Sequence, residues 1–259
     1  VADSDNRRLR QILCADELQP STNGDSCLAG GNDAERHESS SKADGPTAFQ
    51  SVATLIGCGQ WGSPLCDPHG VVTDGEGNIY LTDAGSHTVR RMSASGELTL
   101  LAGSGKPGFA DGHGSQASFE HPYGIALGPD GSLFVADSGN HRIRSVNAQG
   151  DVRTLAGNGT AGHKDGPGSS AQFYYPVGVA VDADGTVFVT DRANHRVRKV
   201  TSKGTVSTLA GSGRNAVVDG KGQAACFSWP NAIALDPSGR GPLYVSDTFT
   251  FRIRKIQRD

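Results

Sequence analysis

The sequence predicts an all-β fold in which one small antiparallel sheet is repeated along the chain. Three observations support this prediction. A ten-residue segment recurs at a nearly fixed spacing, the 36 glycines and 12 prolines cluster between short apolar runs, and each period holds four such runs. A constant period of this length is typical of stacked supersecondary units. Short apolar runs bounded by Gly and Pro are typical of strands and turns.

The recurring segment contains the pattern Asp-x-x-Asn-His-Arg-Ile-Arg in its clearest copy, which starts at residue 135. The other copies start at residues 1, 81, 189 and 245, so the last four copies lie 54 or 56 residues apart. A catalytic site needs one set of groups, whereas this segment occurs five times. Its aspartate and histidine are therefore expected to stabilise the repeat, and function is expected where the copies differ.

Residues 124–156 show the four strands of one repeat. The runs 124–127 and 133–136 are almost wholly apolar, which predicts strands buried on both faces. The run 141–146 alternates polar and apolar residues, as half-buried strands do, and 152–156 supplies the fourth strand. A sheet that is apolar at its inner strands and polar at its outer ones fits a blade packed around an axis. This arrangement is a β-propeller.

The connections between repeats also follow a pattern. Three of the four contain Asp-Gly and then Ala-x-Phe-x-x-Pro, and the phenylalanine is expected to fill the space between adjacent blades. Asp-Gly is interpreted as a turn, because one carboxylate per loop is far short of the 6–8 oxygens that Ca²⁺ takes. The phenylalanines are Phe119, Phe173 and Phe227.

The segments at residues 140–143 and 194–197 resemble the signature of NHL-repeat β-propellers, and the resemblance covers residues 1–12 and about 53–259. The first copy departs from it with Arg7 in place of the histidine, and the last has Thr250-Phe251 in place of Asn-His. The resemblance implies a rigid binding platform. A few members of the family are lyases or hydrolases.

The whole chain is predicted to form a single propeller of about four and a half blades, because the first repeat supplies strands two to four and the last supplies strands one to three. The simplest arrangement is an arc of a six-bladed propeller that belongs to a longer chain. A five-bladed ring and an open arc completed by another subunit are the alternatives, and an open sheet edge would favour association. The predicted blade parts are residues 1–57, 68–103, 122–157, 176–211 and 230–256.

The first repeat is interrupted by an insertion, predicted at residues 13–52, between its third and fourth strands. Four of the five cysteines lie in or beside it, and the preferred pairing is Cys14 with Cys27 and Cys58 with Cys66. The other two pairings remain open, and a zinc site is the alternative. Disulfides would place the protein in an oxidising compartment and so predict secretion.

Two further residues bear on that prediction. Asn158 begins an Asn-Gly-Thr sequon, which makes it a candidate glycosylation site on an exposed loop. The fifth cysteine, Cys226, lies in a repeat position held elsewhere by Ser118 and Gln172, and it is expected to be a buried free thiol.

Ligands of propellers usually bind at the axis, near the start of each innermost strand. This position varies between repeats, as a binding site should, but it lacks the carboxylates and histidines of a catalytic metal site. No metal and no cofactor are predicted, and enzymatic activity is not favoured. The residues at this position are His69, Tyr123, Val177 and Asn231.

The third strands carry the main concentration of positive charge, which is interpreted as a solvated, salt-bridged outer rim. Nucleic-acid binding is not expected, because the net charge is −3 and the arginines are balanced by aspartates. No apolar run approaches the roughly 20 residues that span a bilayer. The arginines concerned are Arg90, Arg142, Arg144, Arg196, Arg198, Arg252 and Arg254.

Together these observations predict a non-catalytic, secreted interaction or structural module that binds a protein partner or associates with itself. Its contact surfaces would be the insertion and the loops between blades. The first alternative is a lyase or hydrolase with a site at the axis. The second, less favoured alternative is an RNA-binding platform that uses the arginines of the third strands.

Overall fold

The computed structural model describes residues 2–3, 8–14, 49–57, 65–236 and 238–258. Over this part of the chain the fold is all-β, as predicted, with only short 3-10 turns besides the strands. The strands are β1 (Ala2–Asp3), β2 (Arg8–Cys14), β3 (Phe49–Gly57), β4 (Pro68–Thr73), β5 (Ile79–Asp83), β6 (Thr88–Met92), β7 (Leu98–Ala102), β8 (Gly112–His113), β9 (Pro122–Leu127), β10 (Leu133–Asp137), β11 (Arg142–Val146), β12 (Asp151–Ala156), β13 (Pro176–Val181), β14 (Val187–Asp191), β15 (Arg196–Val200), β16 (Val206–Ala210), β17 (Pro230–Leu235), β18 (Leu243–Asp247) and β19 (Arg252–Ile256).

The strands form antiparallel sheets that follow one another as the blades of a β-propeller. Strands β4–β7, β9–β12, β13–β16 and β17–β19 make four successive blades, β1–β3 form a further sheet before them, and β8 adds to the outer edge of β12. The first strand of each blade contacts the first strand of the next, so β4, β9, β13 and β17 lie side by side around the axis. The fold class is therefore the predicted one.

Near the axis, adjacent blades touch through their backbones. A Cβ atom added at Gly124 would lie 2.2 Å from the carbonyl oxygen of Val177, and one at Gly178 would lie 2.4 Å from that of Asn231. Only glycine allows two strands to approach so closely. The equivalent residue of the last blade is Ala232, which is exposed.

Hydroxyl groups join the same strands. Thr82 Oγ1 accepts a hydrogen bond from the backbone N–H of Gly70 at 2.9 Å and donates to the carbonyl of Tyr123 in the next blade at 2.5 Å. Thr190 Oγ1 donates to the carbonyl of Asn231 at the same distance. Each threonine is buried, so these bonds are shielded from water and fix the spacing of the blades.

The phenylalanine of each connection fills the space between two blades, as predicted. Phe119 packs with Val89 of one blade and Leu133 of the next, and Phe173 and Phe227 occupy equivalent positions in the two following junctions. All three side chains are buried. Cys226 lies beside Phe227 as a buried free thiol, which confirms that prediction.

The interpretation of the third-strand arginines as a solvated rim is wrong for the second arginine of the repeat. Arg144 and Arg198 are fully buried and Arg254 is 9% exposed. Burial is possible because both terminal nitrogens of each guanidinium donate hydrogen bonds to protein acceptors. Arg144 pairs with Asp137 at 2.7 Å and with Asp111 at 2.6 Å.

Two backbone carbonyls and two aromatic rings, those of Phe109 and Phe119, also lie around the guanidinium of Arg144. Its Nη1 donates to the carbonyl of Ser118 at 3.0 Å, its Nη2 donates to that of Ala110 at 2.7 Å, and its Cζ lies 5.1 Å from the Phe119 ring centroid. Arg198 and Arg254 repeat these contacts with their own pairs of aspartates. The Asp-Gly aspartate of the connection, interpreted from sequence as a turn residue, is thus part of an ion-pair network.

That aspartate also holds the fourth strand. The carboxylate of Asp111 accepts hydrogen bonds from the backbone N–H and the hydroxyl of Thr154, both at 3.1 Å. Asp165 accepts the same two bonds from Thr208, at 3.0 and 3.1 Å. One carboxylate therefore joins the connection, the third strand and the fourth strand of a blade.

Replacing the buried guanidinium should strongly destabilise the fold. Arg144→Met leaves two carboxylates without their counter-charge, one of them fully buried, and we expect the free energy of unfolding to fall by about 3–5 kcal/mol. Arg153→Met on the exposed side of β12 is the control and should change it by less than about 0.5 kcal/mol. Denaturant unfolding followed by circular dichroism measures both, and equal effects would show that the network is not a main source of stability.

Candidate functional site

The most distinctive surface lies at one end of the blades, where each first strand begins and each second strand ends. Pro122 pairs with Asp137 there, and the pairs Pro176 with Asp191 and Pro230 with Asp247 are equivalent. We call this end the top face. It comprises residues 67–69, 83–87, 119–123, 137–141, 173–177, 191–195, 227–231 and 247–251.

The repeated histidine of the motif bonds one blade to the next on this face. His141 Nδ1 accepts a hydrogen bond from the backbone N–H of Tyr175 at 3.2 Å. Equivalent bonds run to His87 from His121 at 3.2 Å and to His195 from Trp229 at 3.1 Å. The structural role predicted for these histidines is confirmed.

Both partners in these bonds have strained backbones. His141 has φ of 54° and Tyr175 has φ of 56°, in the left-handed region that non-glycine residues rarely adopt. Tyr175 also precedes a proline, which normally favours an extended conformation. The same holds for His121 (φ 48°) and Trp229 (φ 55°). Strain of this kind persists only where surrounding contacts enforce it, and it is concentrated at functional positions.

Aromatic and imidazole rings form a continuous row on the top face. His69 and Tyr123 meet edge to face with ring centroids 4.2 Å apart, and His121 stacks on Tyr123 at 6.5 Å. The hydroxyl of Tyr175 donates to that of Tyr123 at 3.3 Å. His87 contacts His121 at 4.9 Å, so the row crosses from one blade to another.

A second group of rings lies on the following blades. Trp229 contacts His195 at 5.4 Å and Phe249 at 5.6 Å, and the guanidinium of Arg192 lies 5.4 Å from the Trp229 ring centroid. Tyr174 contacts a histidine of the preceding blade and is 46% exposed, while Phe249 is 62% exposed. These rings are available to a partner in spite of their mutual contacts.

The four axis candidates of the sequence differ in their surroundings. His69 and Tyr123 lie together in the row of rings. Val177 and Asn231 are half-buried at the equivalent positions of the next blades, where their carbonyl oxygens approach the glycines of the preceding blade. The structure therefore brings the side chains of His69 and Tyr123 together, while the backbones of Tyr123, Val177 and Asn231 all lie at junctions between blades.

Sequence reasoning missed the residues immediately before the first strands, namely His121, Tyr175 and Trp229. The available signal was an aromatic or imidazole residue directly before the proline of each connection. Their left-handed conformation and the bond to the preceding histidine could not be inferred from that signal alone.

Partial burial controls the charge of the repeated histidines. Desolvation lowers the pKa of His141 and of His195 below the ordinary value, and it does the same for His87, where His121 adds to the effect. These imidazoles are therefore neutral at pH 7, which leaves Nδ1 free to accept the bond from the next blade. Burial also raises the pKa of Asp191 to about 6, although Arg198 opposes this change.

The predicted disulfides concern residues that the structure describes only in part. Cys27 and Cys58 lie outside the described residues, and so does the side chain of Cys14. Cys66 is exposed, and its backbone N–H donates to the carboxylate of Asp83. The pairing stays a prediction, as does the structure of the insertion.

The glycosylation candidate is placed on an exposed loop. Asn158 Oδ1 accepts a hydrogen bond from the backbone N–H of Thr160 at 2.8 Å, and its carbonyl accepts one from Arg142. Across residues 65–236 and 238–258, no group of three or more His, Cys, Asp or Glu side chains is arranged to hold a metal ion. Among the helices of the described residues, none is long and apolar enough to cross a membrane.

The fold and the top face define a β-propeller whose repeated histidines join its blades. The NHL-repeat family model matches residues 65–92, 119–144 and 173–200, in which these histidines lie. The chain is an NHL-repeat protein.

Related proteins share this repeat over most of the present chain. It is 35% identical over 193 residues to Protein SUPPRESSOR OF QUENCHING 1, chloroplastic, of Arabidopsis thaliana, covering 69% of this chain and 18% of that protein. It is 27% identical to NHL repeat-containing protein 2 of Bos taurus (75% and 30% covered) and 27% identical to Teneurin-3 of Mus musculus (78% and 8% covered). The chain thus spans less than a third of the length of each of these relatives.

Solved structures share the fold. An auxiliary nutrient binding protein of Bacteroides ovatus superposes with a TM-score of 0.63 at 23% identity, covering 82% of this chain and 51% of that one. A similar protein of Bacteroides thetaiotaomicron gives a TM-score of 0.62 at 23% identity, covering 80% and 50%. At this level of identity the likeness is one of fold.

Acidification should weaken the junctions between blades. Because the folded-state pKa of His141 lies below its unfolded value of about 6.5, the unfolded chain binds more protons as the pH falls, and stability present above that value is lost below it. Asn keeps an acceptor, tolerates the left-handed backbone and does not titrate. We expect His141→Asn to remove part of the stability loss between pH 7 and pH 5.

Urea unfolding of both proteins at several pH values measures this difference. The buried carboxylates titrate in wild type and variant alike, so their contribution cancels in the comparison. Identical pH profiles for the two proteins would show that the imidazole of His141 does not govern the junction.

Proposed function

We propose that this protein is a non-catalytic, rigid module that binds a protein partner through its top face. The observation that supports this proposal is the presence of two groups of imidazole and aromatic rings on the top face of successive blades. Tyrosine, tryptophan and arginine are the residues that contribute most to protein interfaces, because they combine a large apolar area with a polar group. Tyr123, Tyr174, Trp229 and Arg192 provide these groups on one surface.

The rigidity of these residues favours binding. The residues before three of the first strands are fixed by hydrogen bonds from their own backbone N–H groups to the repeated histidines of the preceding blade. Several of the rings also contact each other. A side chain that is already ordered loses little conformational entropy when a partner binds. The left-handed backbone of Tyr175 and Trp229 is consistent with selection for position rather than for stability.

A protein partner is favoured over RNA by the location of the positive charge. Two of the arginines considered for RNA binding, Arg144 and Arg198, are fully buried and neutralised by aspartates. A nucleic-acid surface requires accessible cations that replace the counterions of the phosphates. With a net charge of −3, the chain carries no compensating excess of basic residues.

Removing exposed rings from the top face should abolish partner binding without affecting the fold. The variant combines Tyr174→Ala with Phe249→Ala, and we expect at least a tenfold loss of captured partner, as for the central residues of other interfaces. Tyr244→Ala is the matched control, because Tyr244 is 40% exposed near the opposite end of its strand. Its capture should equal that of the wild type.

Quantitative affinity capture from cells that produce the protein, followed by cross-linking and mass spectrometry, gives the measurement. Thermal unfolding verifies that each variant is folded. A partner that cross-links elsewhere and is retained by the double variant would contradict the proposal. Loss of all captured protein after ribonuclease treatment would instead favour RNA binding.

We further propose that the protein is secreted, with disulfides Cys14–Cys27 and Cys58–Cys66, a glycan at Asn158 and additional partner contacts through the insertion. The exposed positions of Cys66 and Asn158 support this proposal. Peptide mapping under non-reducing conditions should find these four cysteines oxidised. Cys226 is the internal control and should react with an alkylating reagent only after unfolding. Free thiols at Cys14 and Cys58 would contradict secretion.

A further inference from the structure

Arg192 on the top face is a charged residue at a repeat position that is uncharged in the other blades. It follows the aspartate that ends β14, and the equivalent residues are Ala84, Ser138 and Thr248. Ala84 and Ser138 are fully buried, and an equivalent turn forms around each of them without a charge. The guanidinium of Arg192 is therefore not required for the turn.

The guanidinium of Arg192 lacks an acceptor within the part of the chain that the structure describes. Arg144 and Arg198 bond to pairs of aspartates through their terminal nitrogens, and Arg196 donates to two backbone carbonyls. Among the same described residues, Arg192 forms no ion pair and its side chain donates no hydrogen bond. The adjacent carboxylate of Asp191 is buried in the blade, where it bonds to Arg198. The described residues therefore leave this positive charge without a counter-charge.

Aromatic rings from two connections lie near this charge. The Cζ atom of Arg192 lies 5.4 Å from the ring centroid of Trp229, which is half-buried. Tyr175 is also near, because burial raises the pKa of its hydroxyl and the charge of Arg192 opposes that change. The exposed Tyr174 precedes it, and its backbone N–H donates to the carboxylate of Asp191 at 2.8 Å. The charge of Arg192 thus belongs to a group of rings at the junction between blades.

A guanidinium that lies over a ring still offers its N–H groups to a ligand. Its flat face contacts the ring, whereas its donors point outward in the plane and match the two oxygens of a carboxylate. The Nε of Arg192 is buried without a partner, and the side chain as a whole is half-buried, so the terminal nitrogens are the donors left for a ligand. Partial shielding from water strengthens a charge-assisted hydrogen bond at this position.

A carboxylate fits this position better than a phosphate does. One guanidinium neutralises one negative charge, whereas a phosphate monoester carries about −1.5 to −2 at pH 7. Burial and the charge of Glu120 both raise the pKa of Tyr175, so Glu120 is close enough to repel a surplus negative charge on the ligand. The rings beside Arg192 favour apolar residues next to the anion. This chemistry selects an acidic side chain flanked by apolar residues.

We propose that Arg192 binds the carboxylate of a glutamate or aspartate side chain of the protein partner, and that Trp229 and Tyr174 contact the apolar residues beside it. This inference rests on the proposed function, because it names the chemistry by which the top face recognises its partner. The three side chains come from the blade β13–β16 and from the connections on either side of it. The site therefore does not involve the strands at either end of the chain.

Selection from a phage-displayed library of short random peptides tests this proposal. We expect peptides selected on the wild-type protein to contain glutamate or aspartate next to apolar residues, and selection on Arg192→Ser to lose this preference. Serine is the residue that the preceding blade has at this position, so thermal unfolding of the variant should match that of the wild type. Arg153→Ser removes an exposed arginine from another blade and is the matched control, which should select the same peptides as the wild type.

A double-mutant comparison then tests whether the carboxylate contacts Arg192 itself. The probe is the most enriched peptide, synthesised with a fluorescein label and an amidated end, together with an analogue in which an amide replaces the carboxylate of its acidic residue. Fluorescence anisotropy should show that this replacement weakens binding to the wild type about tenfold and has little effect on binding to Arg192→Ser. Arg192→Lys keeps the charge but loses the planar fork, so its affinity should be intermediate.

Selected peptides without acidic residues, or the absence of any selected peptide, would overturn the proposal. An equal effect of the amide analogue on the wild type and on Arg192→Ser would do the same. Failure of the proposed function gives a different result, because the captured partner and the selected peptides would then bind equally well to the Tyr174→Ala, Phe249→Ala variant. Peptides that require these two rings but tolerate Arg192→Ser would contradict only the role of Arg192.

Discussion

The buried arginine of each third strand is the contact on which the geometry of the blade depends. Its guanidinium bonds to a fully buried aspartate at the end of the second strand and to a second aspartate in the connection, and it lies against the ring that separates two blades. A buried charge without such partners would cost several kcal/mol, so this arrangement penalises any displacement of the connection. The connection, in turn, positions the residues that precede the next first strand. The ion pairs therefore hold the connection in place, and the connection in turn positions the residues of the top face.

On the top face, too, a polar contact between distant residues holds the backbone in place. A neutral imidazole accepts a backbone hydrogen bond from the next blade, and this bond supports a left-handed conformation directly before a proline. Contacts between the rings, such as the hydrogen bond from the Tyr175 hydroxyl to that of Tyr123, add to this bond in fixing their positions. The repeated histidines and the buried arginines thus stabilise the fold, whereas the rings beside them differ from one repeat to the next.

Much of this could be predicted from the sequence because the repeat is regular. Strand order, the phenylalanine between blades and the structural histidine follow from periodicity and residue type. The buried arginine could not be predicted in this way, since alternation of Arg with Ile and Val on a strand is the same for a solvated face and for a buried ion pair. Only the two distant aspartates, such as Asp111 and Asp137 for Arg144, distinguish these cases. The candidate site could also be predicted only in part. His121 and Tyr175 are held in place by hydrogen bonds to histidines of the preceding blade, and these contacts between distant residues are not visible in the local sequence.

The glycines at the axis have a consequence for how such a protein can diversify. Where Gly124 and Gly178 meet the carbonyls of the next blade, the distance between blades is fixed by main-chain atoms. Side chains on the top face can then change identity without altering the spacing of the scaffold that carries them. His69, Tyr123, Val177 and Asn231 occupy one repeat position with four different residues, yet their strands keep the same alignment. Because main-chain contacts near the axis set the blade spacing, substitutions on the top face can change its surface chemistry while the fold stays the same.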